Sequence, residues 1–283
     1  MAKLEPLAGG YYLWHYVPSI AASVIFLLLF LAATLFHTWK AWKARARFCI
    51  PFVIGGLFEV IGFGSRAACT NDTANIGTYS IQSVFILLGP VLFAASVYMV
   101  LARLIRSVGA EKYALIKITR VTKTFVSGDV VSFLVQGTGA GMMAMGGDMA
   151  STAKGIVIAG LLIQIAVFGF FMVMSVIFEK RMKRCPTSTS MSMNGGQGGD
   201  WKSHLYPLYA VSVLIMVRSV FRVIEYAMGQ DGYLLANEWP MYVFDAVLML
   251  GVMAIWGRWH PGSIRQEVAG SQLLSMNSGQ SKA

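Results

Sequence analysis

Gly155-Ile-Val-Ile-Ala-Gly-Leu-Leu-Ile-Gln164-Ile-Ala-Val-Phe-Gly-Phe-Phe-Met-Val-Met-Ser-Val-Ile-Phe178 is a run of 24 residues without a charged side chain, broken in its apolar character only by Gln164 and Ser175. A helix of about 20 residues crosses a hydrocarbon core of about 30 Å, so this segment reads as a transmembrane helix. Six further runs have the same character, at about 13–37, 49–67, 79–103, 125–145, 206–228 and 239–257. The expected fold is all-α, a polytopic membrane bundle of seven transmembrane helices. Composition agrees: 56% of the 283 residues are hydrophobic and 13% charged, whereas a soluble domain carries about 25% charged residues. The excess apolar surface needs lipid as its solvent. A soluble enzyme, a nucleic-acid-binding domain and a secreted disulfide scaffold are thereby excluded, despite the net charge of +10.

The lysines and arginines explain that charge. Eighteen of the 23 fall at 40–47, 103–123, 180–202 and from Arg258 onward, in alternate connections. The opposite connections hold only Lys3 and Lys154. By the positive-inside rule the N-terminus is outside and the C-terminus cytosolic. The basic loops then set topology and touch anionic lipid head groups. The first run follows a weakly charged leader and shows no small-residue cleavage pattern, so it is expected to be a retained span. The membrane domain covers 1–260. Residues 261–283, rich in Ser and Gly, read as a disordered cytosolic tail, and the Pro186–Gly199 stretch as a mobile loop. No internal repeat appears.

Several chemistries have no residues to carry them. Cys49, Cys69 and Cys185 do not form a disulfide framework. The four histidines, His15, His37, His204 and His260, sit at span ends and offer no inward cluster for zinc. The seventh span has no lysine for a Schiff base. No glycine-rich phosphate loop, Asp-rich diphosphate motif or serine elbow is present, so no cofactor, no metal and no catalytic residue is expected. Asn71-Asp72-Thr73 is a glycosylation sequon on the outer side.

What remains is polar groups within the apolar runs, each costing about 2.5–3.5 kcal/mol at a helix centre on insertion scales. Such groups should face one another or a wet cavity. Glu59 and Arg66 are seven apart, as are Asp129 and Gln136, and Glu238 and Asp245; Arg218, Arg222 and Glu225 follow at i, i+4, i+7. Seven residues is nearly two turns, so each helix gathers its polar groups on one stripe. Gln82 and Gln164 add amides. With the orientation above, Arg66, Gln82, Arg222, Glu225, Glu238 and Asp245 lie in the outer half, Glu59, Gln136, Gln164 and Arg218 near the middle, and Asp129 toward the cytosol. The polar cluster therefore opens outward. Arg222 with Asp245, and Arg66 with Glu225, are the expected interhelical pairs, at comparable depth. The glycines of spans two and four, among them Gly55, Gly56, Gly62, Gly64, Gly137, Gly139 and Gly141, suit close helix approach, and Pro90 should kink span three.

Taken in order, Glu59-Val-Ile-Gly-Phe-Gly-Ser-Arg66, Gly89-Pro90 through Ser96-Val-Tyr98, Gly128-Asp129 through Gln136-Gly-Thr-Gly139, Gly160-Leu-Leu-Ile-Gln164, Arg218-Ser-Val-Phe-Arg222-Val-Ile-Glu225-Tyr226, Glu238 and Tyr242-Val-Phe-Asp245 resemble the RTA1-like fungal family, the lipid-translocating exporters. The resemblance covers roughly 12–262. It departs at Phe63, where the family carries a tyrosine. It implies a multi-pass protein of a fungal plasma membrane or endomembrane, linked to transbilayer movement of sphingoid bases and to tolerance of toxic amphiphiles. Its partners would be membrane lipids and an amphipathic lipid or small lipophilic molecule, not nucleic acid.

The expected mechanism is a polar groove that receives an amphipathic head group while its chain stays in lipid. A cationic head group would favour Glu225, Glu238 and Asp245, an anionic one Arg66 and Arg222. Movement is either downhill or coupled to protons on Glu225, Asp245 or Glu59. Two other classes fit the same residues: a membrane-embedded enzyme using these carboxylates as acid or base, and a seven-span receptor or sensor.

Overall fold

A computed structural model describes residues 14, 16–45, 47–70, 73, 75–145, 150–187, 201–229 and 232–259. The expectations placed on His15, His260, the Asn71 sequon, the Gly-rich stretch beyond 187 and the tail 261–283 lie outside the described residues. Among those described there is no strand, and seven long helices follow one another: α1 (Ile20–Lys43), α2 (Ile50–Cys69), α3 (Ile76–Ser107), α4 (Ile118–Met145), α5 (Ala150–Arg184), α6 (Trp201–Met228) and α7 (Trp239–Trp259). Six of them, all but α4, are long and apolar enough to cross a membrane. Helix α4 is as long, but Asp129, Gln136 and its glycines lower its hydropathy.

Local chemistry sets the helix ends. The first apolar run begins near residue 13, yet α1 starts only at Ile20. Pro18 disfavours helix in the residue before it, and the Ser19 side chain caps the first turn by accepting from the Ala22 N–H at 3.4 Å. Asn75 caps α3 in the same way, accepting from the Thr78 N–H at 3.1 Å. Pro51 lies in the first turn of α2, where its missing N–H costs nothing. Lys40 and Lys43 close α1 where cations complement the helix dipole.

The helices run alternately up and down. At the basic end, Lys40 Nζ bonds the Gly257 carbonyl at 2.5 Å, Arg181 the Tyr113 carbonyl at 3.1 Å, and Trp259 donates to His204 at 2.9 Å. Helix α3 is the centre and is mostly buried, whereas α1 lies at the rim and is mostly exposed. It packs on α2, α4 and α6. Its Tyr98 sits among Phe125, Phe168 and Phe171, and Phe52 stacks on Trp256 with ring centroids 4.4 Å apart.

Close approach is real at some glycines and not at others. A Cβ on Gly62 would meet Ile86 Cγ1 at 2.5 Å, and one on Gly139 the Ala153 carbonyl at 2.9 Å. Gly137 and Gly141 face open space, so they do not mediate helix contact as the sequence suggested.

Helix α3 continues unbroken through Pro90. Proline has no N–H, so the carbonyl four residues earlier, at Ile86, loses its helical partner. In α7 the six residues Tyr242–Val247 form a π-helical turn. Such wide turns are rare and recur at functional positions. Both irregularities face the same place.

Candidate functional site

Two polar layers lie along the α2, α6 and α7 contacts. The first is a collar around Arg66, whose side chain is 1% exposed. Its guanidinium donates to Glu238 Oε1 at 2.8 Å, to the Tyr16 hydroxyl at 3.0 Å and to the Tyr242 hydroxyl at 3.2 Å. The rings of Trp14, Tyr242 and Tyr16 lie 5.2, 5.4 and 5.7 Å from it, within cation–π range. Glu238 is held as firmly. It accepts from the Ser19 backbone N–H on both oxygens at 3.0 Å and from the Tyr242 hydroxyl at 2.9 Å. The segment before α1 is thereby pinned across the bundle end, with Thr70 Oγ1 bonding the Pro18 carbonyl at 3.3 Å.

The second layer lies deeper and is built on the spacing Arg218, Arg222, Glu225 along one face of α6. Arg218 forms a two-point pair with Asp245 of α7, its Nε on Oδ1 and its Nη2 3.3 Å from Oδ2. Its Nη2 also donates at 2.9 Å to the Ile86 carbonyl, the group that Pro90 leaves free. Arg222 bonds Glu225 at 2.7 Å on its own helix and lies 3.6 Å from Asp245 Oδ2. The expected Arg222–Asp245 pair is thus present as the longer contact, and Arg218 is the nearer partner. Depth alone could not separate two arginines one turn apart on the same stripe. Likewise Arg66 pairs with Glu238, not Glu225, which Arg222 occupies.

Glu59 completes this layer from α2. It is 1% exposed, and it interacts electrostatically with Asp245, Arg218 and Arg222. It packs against the bare backbone of Gly89, where a Cβ would come within 2.5 Å of Glu59 Oε1. Glu59 Oε1, Gln82 Oε1 and Arg222 Nε are among the described residues' buried polar atoms without a hydrogen-bond partner, as is Trp14 Nε1 in the collar. An unmade hydrogen bond on a buried polar group costs about 1–3 kcal/mol. Two such groups, on Glu59 and Arg222, belong to the ionic layer itself and mark it as polar and incomplete, and Gln82 lies about one turn before Ile86 on α3.

The remaining candidates stand apart. Asp129 accepts from Tyr98 at 2.9 Å between α3 and α4, with Oδ1 unpartnered. Gln136 donates to Gln164 at 3.1 Å and to Ser132 at 3.0 Å, while Ser132 bonds the Gly160 carbonyl at 2.6 Å. This ladder joins α4 to α5 and does not touch the ionic layer. Residues that sequence reasoning did not place in the site are Tyr16, Ser19, Tyr98, Tyr242 and the Ile86 carbonyl. For the last, Pro90 was the available signal. Among the described residues no three His, Cys, Asp or Glu gather as metal ligands would.

Apolar helices with ionisable residues collected at their buried contacts define a multi-pass membrane protein. The match to a family model described as RTA1 like protein, over residues 52–267, carries this further: the chain belongs to that family. It is 34% identical to Protein RTA1 of Saccharomyces cerevisiae, over 87% of this chain and 84% of that protein. It is 32% identical to Protoporphyrin uptake protein 1 of the same yeast, over 87% and 90%, and 26% identical to Sphingoid long-chain base transporter RSB1, over 92% and 75%. No solved structure matches the chain. The family and these relatives support membrane transport of lipid-like molecules in general terms.

Proposed function

We propose that this protein moves an amphipathic molecule of the sphingoid-base type from one leaflet to the other, its head group passing through the ionic layer while its chain remains in lipid. In this reading all seven helices span the membrane, α4 included, because α4 lies between α3 and α5 and its polar groups turn inward. The N-terminus and the Arg66 collar are outside, the basic end is cytosolic, and the membrane domain closes at about residue 260. Glu59, Gln82, Arg218, Arg222, Glu225 and Asp245 receive the head group. Arg66 and Glu238 clasp the outer end, and Asp129, Gln136 and Gln164 hold α4 to its neighbours.

The observation that carries the reading is the ionic layer itself: five charged side chains buried in apolar helices, with acceptors and a donor left open. Ionisable groups at such depth are costly and commonly functional. Names among the relatives, a sphingoid base transporter and a protoporphyrin uptake protein, support a lipophilic cargo. The test is a liposome assay with the purified chain and a fluorescent sphingoid base in one leaflet, followed by an impermeant quencher. Wild type should accelerate movement of unchanged probe, and Asp245→Asn should not. Probe that is chemically altered replaces transport with catalysis. Orientation is tested separately: Asn75→Cys and Gln230→Cys should react with an impermeant thiol reagent from outside and Ser190→Cys should not, the reverse pattern overturning it.

A further inference from the structure

The charges of the ionic layer do not balance. Arg218 and Arg222 supply two positive charges, whereas Asp245, Glu225 and Glu59 supply up to three negative ones. Asp245 is engaged with both arginines and Glu225 with Arg222. Within this layer Glu59 is the carboxyl without a direct ion pair, and its Oε1 meets no donor. Asp129, the other buried carboxyl without one among the described residues, stands apart between α3 and α4 and holds the Tyr98 hydroxyl.

No other buried charge is free to neutralise it. On its own helix the nearest cation is Arg66, about two turns away and committed to Glu238. Helix α3 presents no charge there: Gln82 is neutral, and the Tyr98 hydroxyl is given to Asp129. On α7 Tyr242 belongs to the collar. Tyr226 of α6 stands beside Arg222 and Glu225. On the buried face of α1 the titratable group is His37, which bonds the Met253 carbonyl toward the basic end. A third net negative charge in a lipid-surrounded bundle would carry a large desolvation cost.

We infer that Glu59 is an exchangeable-proton site, losing one proton for each cationic head group that enters the layer. This rests on the transport reading above and names its coupling. With the carboxyl protonated the layer is neutral. When a positively charged head group lies against Glu59, the O–H bond breaks, the proton leaves to water, the carboxylate keeps the electron pair, and the layer is neutral again. Gly89 gives the carboxyl its place: with no side chain of its own, it lets Glu59 lie directly against the α3 backbone beside the arginines, where a Cβ would come within 2.5 Å of Oε1. Exchange keeps the buried charge constant at both stages, which lowers the electrostatic barrier to loading and unloading.

The experiment uses the full chain in lipid nanodiscs and dodecyltrimethylammonium, a permanent cation that cannot donate a proton itself. In weak buffer, wild type should release one proton per bound probe, and the difference between the probe-free infrared spectra of wild type and Glu59→Gln, in which the shared Asp129 cancels, should hold a buried carboxylic-acid band. Glu59→Gln, a neutral isostere that should fold normally, should lose the proton release and bind the probe at least tenfold more weakly. Binding by wild type without proton release, or a difference spectrum that holds no acid band, overturns the inference and leaves transport standing. Absence of probe binding while the acid band is present refutes cation exchange together with the cationic cargo it rests on. Glu59→Asp, which keeps the acid one methylene shorter, should restore part of the release.

Discussion

Arg66 and Arg222 are both buried arginines facing carboxylates from the same stretch of chain, yet their surroundings are opposite. Around Arg66 a carboxylate, two tyrosine hydroxyls and three aromatic rings close the site, and the backbone of Ser19 finishes Glu238 from the other side. Around Arg222 the carboxylates outnumber the arginines, and its own Nε, the Glu59 carboxyl and the Gln82 amide oxygen are left open. A satisfied network rigidifies, whereas a partly satisfied one is a standing cost. The collar, where Trp14 Nε1 is the one buried polar atom without a partner among the described residues, therefore reads as a clasp, and the deeper layer as the less complete of the two.

The largest effect expected from that difference comes from Asp245→Leu. It strips Arg218 of its two-point partner and Arg222 of its second carboxylate, and breaking a buried pair from one side costs about 3–5 kcal/mol. Thermal unfolding in detergent should show the loss, or no folded protein at all. A transition at the wild-type temperature would contradict the bridge.

Arg66→Lys comes next. A lysine cannot reproduce the planar fork that reaches Tyr16, Tyr242 and Glu238 together, and about 1–3 kcal/mol of stability should go. Translocation per folded molecule should persist; if it vanishes while stability holds, the collar is part of the transport path.

Smaller again is the coupling between Arg222 and Asp245. A double-mutant cycle with Arg222→Met and Asp245→Leu should give about 1 kcal/mol, less than the same cycle with Arg218→Met. Equal couplings would mean that Asp245 is shared evenly between the two arginines.

Gln136→Leu should have the least consequence, about 0.6 kcal/mol, the average for a hydrogen bond between membrane helices, with translocation unaffected. Loss of transport in this variant would bring α4 and α5 into the site.

Much of this architecture is legible in the sequence. The apolar runs give the helices their positions, and the seven-residue spacings bring Glu59 and Arg66, and Arg218, Arg222 and Glu225, to buried faces. The partners are not legible, because pairing depends on how each helix is rotated against its neighbour. Arg222 and Arg218 differ by one turn, and only the packed bundle gives Asp245 to Arg218. The π-helical turn at Tyr242–Val247 shifts register within α7, a feature with no mark in hydropathy. Ser19 is a polar interruption of the first run; its roles as cap of α1 and donor to Glu238 emerge only when the two chain segments meet. Pro90 reads as a helix irregularity, but the consequence lies on another helix, where Arg218 takes the freed Ile86 carbonyl.

The most direct measurement compares Glu59→Gln with Glu238→Gln in the liposome translocation assay, each normalised to folded protein. Glu59 stands in the open layer and Glu238 in the closed collar, and each substitution removes one carboxylate while preserving shape. Glu59→Gln should abolish movement of the fluorescent sphingoid base without lowering thermal stability, whereas Glu238→Gln should lower stability and leave movement within a few-fold of wild type. Movement that survives Glu59→Gln and fails in Glu238→Gln would contradict the assignment of transport to the deeper layer.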